Sequence, residues 1–590
     1  RLSFGGAHWC HSSSPPMILI LRIWPVAVLL VCLWGLRIIP GLYGEISMPV
    51  MMARFMGPLA CTGLIVVWWL FLSRASLKEK ALGLIGLVAI LTVTTVLADK
   101  TIRGIGTMIY AVPWGISGFA VAQIGLARIR SSIRTWLALS VSLVCFGFWD
   151  LVRTDGYRAN GDTSHSWRWE PTAEDRFLQN LAARPRGRAG ISTAPHSLAE
   201  PEWPAFRGPN RNGVQGGIVL DEDWQAQPPK EIWRVRIGPG WSSFSVAGRR
   251  LFTQEQRGED EVVVCYDADN GTEIWVHQYG SRFWEVIGGA GPRATPTLSD
   301  GNLFALGAVG ILHCLDAMTG EQVWRRDINK DAGREPPQWG YASSPLVTDD
   351  VVIVHAGGSK NKGLLAYDVE TGDLRWGSPT GGHSYSSPQL SHICDKLCVV
   401  MLTNKGITFV GPANGKLLGK HDWEFQGYRI VQPLIVDDAS VLLGTSMGTG
   451  TRRIELRWDG EQFSANTIWT SRRMNPYFND YVAHRGYLYG FDNNIFACLD
   501  LATGERKWKK GRYGNGQVLL LPDGDQLLVL SEDGELVLLR ATPEECIELA
   551  RHQVLEGRTW NHPVLVGNRL YVRNGEEAAC LEVQTSLPKS

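Results

Sequence analysis

The sequence predicts two joined architectures: an N-terminal α-helical membrane domain of about five transmembrane helices, then an all-β eight-bladed propeller. Its four-stranded blades are closed by an N-terminal strand. Three observations carry this. Apolar runs of bilayer-spanning length crowd residues 17–153. A turn motif ending in Trp recurs from Cys265 onward. A Trp-bearing strand, Glu231–Arg236, stands ahead of the first repeat, whereas the last repeat runs out of sequence one strand short.

The apolar runs are roughly Met17–Ile39, Val50–Leu72, Ala81–Ala98, Gly106–Ala127 and Thr135–Leu151. Each approaches the ~20 residues that cross a hydrocarbon core as a helix. Trp24, Trp34, Trp68, Trp69, Trp114, Trp136 and Trp149 fall mostly near run ends, as in an interfacial aromatic belt. Arg74, Lys78 and Lys80 in one loop and Arg128, Arg130 and Arg134 in another outnumber Arg54, Lys100 and Arg103 on the other side. That asymmetry predicts a cytoplasmic N-terminus, hence a multi-pass protein of the cytoplasmic (inner) membrane. Everything after Arg153 is then periplasmic or otherwise extracytoplasmic. Residues 1–16 precede Met17 and read as an N-terminal extension. No small-residue cleavage site follows a short apolar core, so a cleaved secretory signal is not predicted.

Charge separates the same two parts. The whole chain balances, with Lys+Arg 58 against Asp+Glu 58. Residues 17–153 nonetheless carry a net +8 and residues 154–590 a net −9. An acidic second part argues against nucleic acid as its partner.

Residues 154–228, rich in Gly, Pro, Arg and Ser, read as a linker. It carries one short helix at Thr172–Ala183, where Thr172 can cap and Glu174 and Asp175 suit the first turn. The segment Trp203–Gly213 has the aromatic and turn residues of a stretch packed on the next domain.

Residues 229–590 form the repeat array. Its clearest units are Cys265–Trp275, Cys314–Trp324, Ala366–Trp376 and Cys498–Trp508, with a weakened copy at Val410–Gly419. In each clear unit an Asp and a Gly make a tight turn: Asp267 and Gly271, Asp316 and Gly320, Asp368 and Gly372, Asp500 and Gly504. The closing Trp275, Trp324, Trp376 and Trp508 are expected to pack between sheets, so these residues read as structural. First and second strands can each be counted eight times. Seven blades remains the alternative, because the fifth repeat is weakly marked.

The units Asp-x-x-Thr-Gly-x-x-x-Trp ending at Trp324, Trp376 and Trp508 resemble the pyrroloquinoline quinone (PQQ)-like β-propeller superfamily over about residues 230–584. They differ from tryptophan–aspartate repeats, which show Gly-His and Trp-Asp pairs. The Trp203–Gly213 and Asn479–Gly490 stretches look like those of membrane-anchored or exported members. The resemblance implies two contrasting roles. One is the quinoprotein dehydrogenase, with PQQ in the ring centre, Ca²⁺ on carboxylate and amide oxygens, and a catalytic Asp. The other is the non-enzymatic scaffold lipoprotein of outer-membrane-protein assembly. No adjacent Cys pair of the alcohol-dehydrogenase type occurs, and no Glu, Asn and Asp set transfers residue by residue. The reading therefore leans to a binding or scaffold module, with no cofactor expected. A PQQ-dependent dehydrogenase feeding membrane quinone is the alternative.

The candidate ligand site is the propeller mouth, where leading residues of first strands converge. They are Arg293, Tyr341, His383, Tyr385, Arg429, Gln432, Asn479, Asp480, Asn561 and His562. The expected partners are the lipid bilayer and a protein or small ligand at that mouth. No phosphate loop or His-Glu-x-x-His motif is present. Cys265, Cys314, Cys498 and Cys580 recur at one strand position and read as buried hydrophobes. Cys394 and Cys398 flank a short turn and could pair in an oxidising compartment.

Overall fold

The computed structural model describes residues 21–42, 48–129, 131–158, 162–183 and 198–586. The extension 1–16 and the start of the first apolar run lie outside them. The chain divides into two compact units, 1–155 with 163–170, and 156–162 with 171–590.

Among the described residues of the first unit, five helical stretches are long and apolar enough to cross a membrane: Trp24–Leu42, Met52–Leu72, Leu77–Leu97, Thr107–Gly125 and Ile133–Leu151. The helix Leu77–Leu97 starts four residues before the apolar run that announces it. Ser76 caps it: its hydroxyl accepts from Glu79 N, while the Glu79 carboxylate accepts from Ser76 N. Glu79 also holds Arg134 at 2.6 Å, with both side chains buried. Arg134, counted above as a loop charge, thus sits inside the helix Ser131–Leu151. Its pairing with a residue on another helix leaves no trace in local patterning.

The second unit is built of antiparallel four-stranded sheets. They lie at residues 245–280, 297–327, 346–378, 389–422, 434–471, 482–512 and 517–553. The last takes three strands from residues 564–582 and its fourth from Lys230–Arg236, which pairs with Glu577–Glu582. Cores lie between neighbouring sheets, and the two middle strands of most sheets are buried along nearly their whole length.

The Trp motif is the joint between sheets. Within a turn, Asp316 Oδ1 accepts from Thr319 N at 2.7 Å, and Gly320 N donates to Asp316 O at 2.8 Å. Asp368 and Asp500 accept from Thr371 N and Thr503 N in the same way. Each Trp then lies on the turn of the following sheet. Trp275 Nε1 donates to Ala317 O, Trp324 Nε1 to Val369 O, and Trp508 Nε1 to Thr542 O. The ring covers the next motif's Gly, which has φ of +75° at Gly320 and +73° at Gly372. A Cβ on Gly320 would meet Trp275 Cε3 at 2.5 Å. Gly320→Ala is therefore expected to cost about 2–4 kcal/mol, from the left-handed backbone and displacement of the indole together. The denaturant midpoint of the full chain in detergent measures this.

The weakened copy has a physical cause. Gly419 occupies the Trp place because the fourth and fifth sheets join there by a parallel bridge, Gly419 to Phe463. A Cβ on Gly419 would meet Phe463 Cβ at 2.7 Å. Phe463 and Trp458, 4.9 Å apart, fill the slot instead, and Trp469 of the fifth sheet bonds Leu501 O as the motif requires.

Cys394 and Cys398 are free thiols. Cys394 sits in the two-residue turn at φ +47° with its Sγ 3.5 Å from Leu456 O, while Cys398 is buried in its strand.

Candidate functional site

The residue at the head of each inner strand is commonly Ser, Thr or Gln, often followed by Pro: Thr295-Pro296, Ser344-Pro345, Ser387-Pro388, Gln432-Pro433 and His562-Pro563. Proline holds its predecessor extended and removes one N–H. These head residues bond from sheet to sheet. Ser243 N donates to Thr295 Oγ1, Thr295 N to Ser344 Oγ, and Ser344 N to Ser387 Oγ, each at 2.9 Å. Gln432 N donates to Asp480 Oδ1 at 2.7 Å, and Ser243 Oγ to His562 O at 2.6 Å. Gln517 Nε2 donates to Trp560 O at 3.0 Å.

The stretch 203–214 plugs this circuit. Trp203 bridges Val246, and Val214 bridges Leu520. Arg211 donates to Ser344 O and Pro345 O, and Gln389 Nε2 donates to Arg211 O. Arg207 donates to Tyr481 O at 2.9 Å and lies 3.6 Å from Asp480. Its Gly and Asn residues, which read as linker composition, serve the turns: Gly208 and Gly213 take φ of +90° and +71°. Burial pushes Arg211 down to about 9, with the Arg207 cation adding to it. Burial also holds Asp480 above the usual carboxylate range, against the pull of Arg207 and the Gln432 N–H.

Beside the plug lies a cavity of about 170 Å³. Phe206 of the plug lines it with the head residues Ser344, Ser387, Asp480, Gln517 and His562. Six aromatic residues add to the wall, Trp241, Trp339, Tyr385, Tyr477, Phe478 and Trp560, beside Glu285, Arg293 and small or aliphatic residues. These rings touch in series. Centroids are 4.7 Å apart for Trp241–Trp560, 4.8 Å for Phe478–Trp560, 5.2 Å for Tyr477–Phe478 and 5.2 Å for Trp339–Tyr385. The guanidinium of Arg558 stacks on Trp560 at 4.2 Å and Trp241 at 5.0 Å. A short hairpin, Trp284–Glu285 with Gly289–Ala290, adds Glu285, which pairs with Arg293 at 3.1 Å.

Of the sequence candidates, Arg293, Tyr385, Asp480 and His562 line the cavity. The other six lie elsewhere. Tyr341 donates its hydroxyl to Asn329 Oδ1, Gln432 Nε2 lies at hydrogen-bond limit from Ser387 O, and Asn561 Nδ2 donates to Ser242 O. Asn479 Oδ1 accepts from Tyr477 N, and His383 packs edgewise on Tyr385. Arg429 is fully buried and donates to Trp423 O while stacking on that ring at 4.3 Å. Sequence reasoning missed Trp241, Trp339, Tyr477, Phe478, Trp560 and Glu285. The aromatic ones carried a signal: each stands two to five residues before a head residue.

His562 stays neutral. Burial and then the Arg207 cation push it down to about 3, and its Nδ1 faces Pro563 O at 2.8 Å. The quinone of the dehydrogenase branch is a planar tricarboxylate bound beside Ca²⁺, and the residues present do not fit it. Both cavity acids are already matched to arginines, Glu285 to Arg293 and Asp480 to Arg207. The volume also falls short of the ~300–1,000 Å³ usual for cofactor pockets. Among the described residues, no group of three or more His, Cys, Asp and Glu could hold a metal ion.

A family model described as outer membrane protein assembly factor BamB matches residues 259–510. The protein of that name from Yersinia pestis is 23% identical over 325 residues, covering 52% of this chain and 70% of its own. Its counterpart from Shewanella oneidensis is 24% identical over 375 residues, covering 58% and 86%. Among solved structures, the quinohemoprotein alcohol dehydrogenase from Comamonas testosteroni aligns with a TM-score of 0.45 at 13% identity, over 71% of this chain and 85% of its own. Over residues 259–510 the repeat-bearing part of the chain is thus similar to the PQQ-like repeat family of these assembly factors.

Proposed function

We propose that this protein is a membrane-anchored binding module whose extracytoplasmic, eight-bladed propeller holds a protein partner at its aromatic mouth. Pairing of Lys230–Arg236 with the last sheet supports a propeller closed by its N-terminal strand. The loop charges support a propeller outside the cytoplasm. One observation carries the functional reading: the mouth is walled by aromatic rings, and its two acids are already ion-paired. Such a surface binds through ring contacts rather than through a poised acid, base or nucleophile. The named relatives are assembly factors for outer membrane proteins, and a partner-holding role is of the same kind.

The test is a photo-crosslinking amino acid placed at Tyr477 or Ile287 of the full chain in intact membranes. Adducts with a discrete protein are expected, and none from Val323, an exposed residue on an outer strand. Stoichiometric PQQ and Ca²⁺ uptake with sugar- or alcohol-dependent dye reduction would overturn the reading in favour of a dehydrogenase. For orientation, a reporter fused after Ser590 should be active only in its extracytoplasmic form.

A further inference from the structure

We propose that the mouth recognises a flat ring bearing one N–H or O–H donor, the indole or phenol of a partner's Trp or Tyr side chain, with Glu285 as acceptor. This rests on the mouth being the binding site and adds what it selects.

Size comes first. A cavity of about 170 Å³ is close to the ~150 Å³ that accommodates a benzene-sized ring in a protein interior. It suits one aromatic side chain and not a folded element. The walls supply offset and edge-on ring partners: Tyr477 and Phe478 from one connection, Trp339 and Tyr385 from two others, Trp241 and Trp560 beyond. Several are only half-buried.

The polar handle is Glu285. Its carboxylate accepts from Ile287 N at 2.7 Å, Gly288 N at 2.5 Å and Arg293 at 3.1 Å. An ionised carboxylate has about four acceptor sites, so one remains. Gly288 lets the hairpin fold this tightly: a Cβ there would meet Glu285 Oε1 at 2.5 Å and Trp241 Nε1 at 3.2 Å. Two indoles of the wall are already used, since Trp241 Nε1 donates to Gly288 O and Trp560 Nε1 to Glu532. The remaining acceptor site on Glu285 is the one a ligand's donor takes. Charge selects against a cation: Arg293 balances Glu285, and Arg558 already stacks on the Trp pair.

The test uses the full chain in detergent, with binding of 5-fluoroindole, 4-fluorophenol and fluorobenzene followed by fluorine NMR line broadening. Tetramethylammonium is followed by saturation transfer. Saturable binding of fluoroindole and fluorophenol is expected, with fluorobenzene ~10-fold weaker for lack of a charge-assisted hydrogen bond. Glu285→Gln, which keeps a neutral acceptor, should narrow that difference. Trp339→Leu should weaken all three rings and guards against an unstable Glu285 variant. Equal affinity for fluorobenzene and fluoroindole in the unaltered protein would overturn the proposal. So would tighter binding of tetramethylammonium, or no saturable binding. Crosslinked partner without ring binding sinks this inference alone, whereas ring binding without any partner adduct sinks the broader reading.

Discussion

Asp480→Asn is expected to destabilise the C-terminal unit by about 3–5 kcal/mol, the usual cost of stranding one member of a buried ion pair. Arg207, 1% exposed, would keep its carbonyl partners but lose the carboxylate 3.6 Å away. The asparagine preserves an acceptor for Gln432 N, so the effect isolates charge from shape. Replacing both residues, Asp480→Asn with Arg207→Met, should recover much of the loss, because an apolar side chain tolerates the site that a lone cation does not. Denaturant midpoints of the four proteins, read as a double-mutant cycle, measure the coupling. An unchanged midpoint for Asp480→Asn would mean the plug is not held by this pair.

Acid should weaken the same unit strongly. Burial pushes His313 down to about 3, His355 to about 4 and His562 to about 3. All three are bases whose folded values lie below the unfolded value of ~6.5. The unfolded chain therefore takes up protons first, and stability that is complete above ~6.5 drains as pH falls toward 4. At pH 5 the expected loss is on the order of 2 kcal/mol per histidine. His313 packs its ring 4.4 Å from Tyr279 and 4.9 Å from His277, so His313→Leu should flatten part of the slope. Midpoints at pH 7.5, 6 and 5 with and without this substitution test it. Parallel slopes would rule out His313 as a contributor.

The features legible in sequence were those written locally. Asp316, Gly320 and Trp324 specify a turn and an anchor within nine residues, so the repeat could be read without knowing what it packs on. Gly419 could not be understood that way: its missing indole is explained by Phe463, on the outer strand of the next sheet. The site divides similarly. Asp480 and His562 were found because head residues recur at the start of inner strands. Glu285 was not, because it sits in a two-residue strand inside a connection that no other repeat matches. The aromatic wall was available as a pattern, one step upstream of the polar residues chosen. Arg207 with Asp480, and Glu79 with Arg134, join residues far apart in the chain, which no periodicity announces.

The last sheet has a consequence for biogenesis. Its outer strand, Lys230–Arg236, is made early, and its partner, Glu577–Glu582, emerges about 340 residues later. At ~5–20 residues per second, that strand waits roughly 20–70 s with its hydrogen-bonding edge vacant. A vacant edge is a template for the wrong chain. The interval is long enough for a chaperone to matter, and a stop codon ahead of Glu577 would leave it open for good.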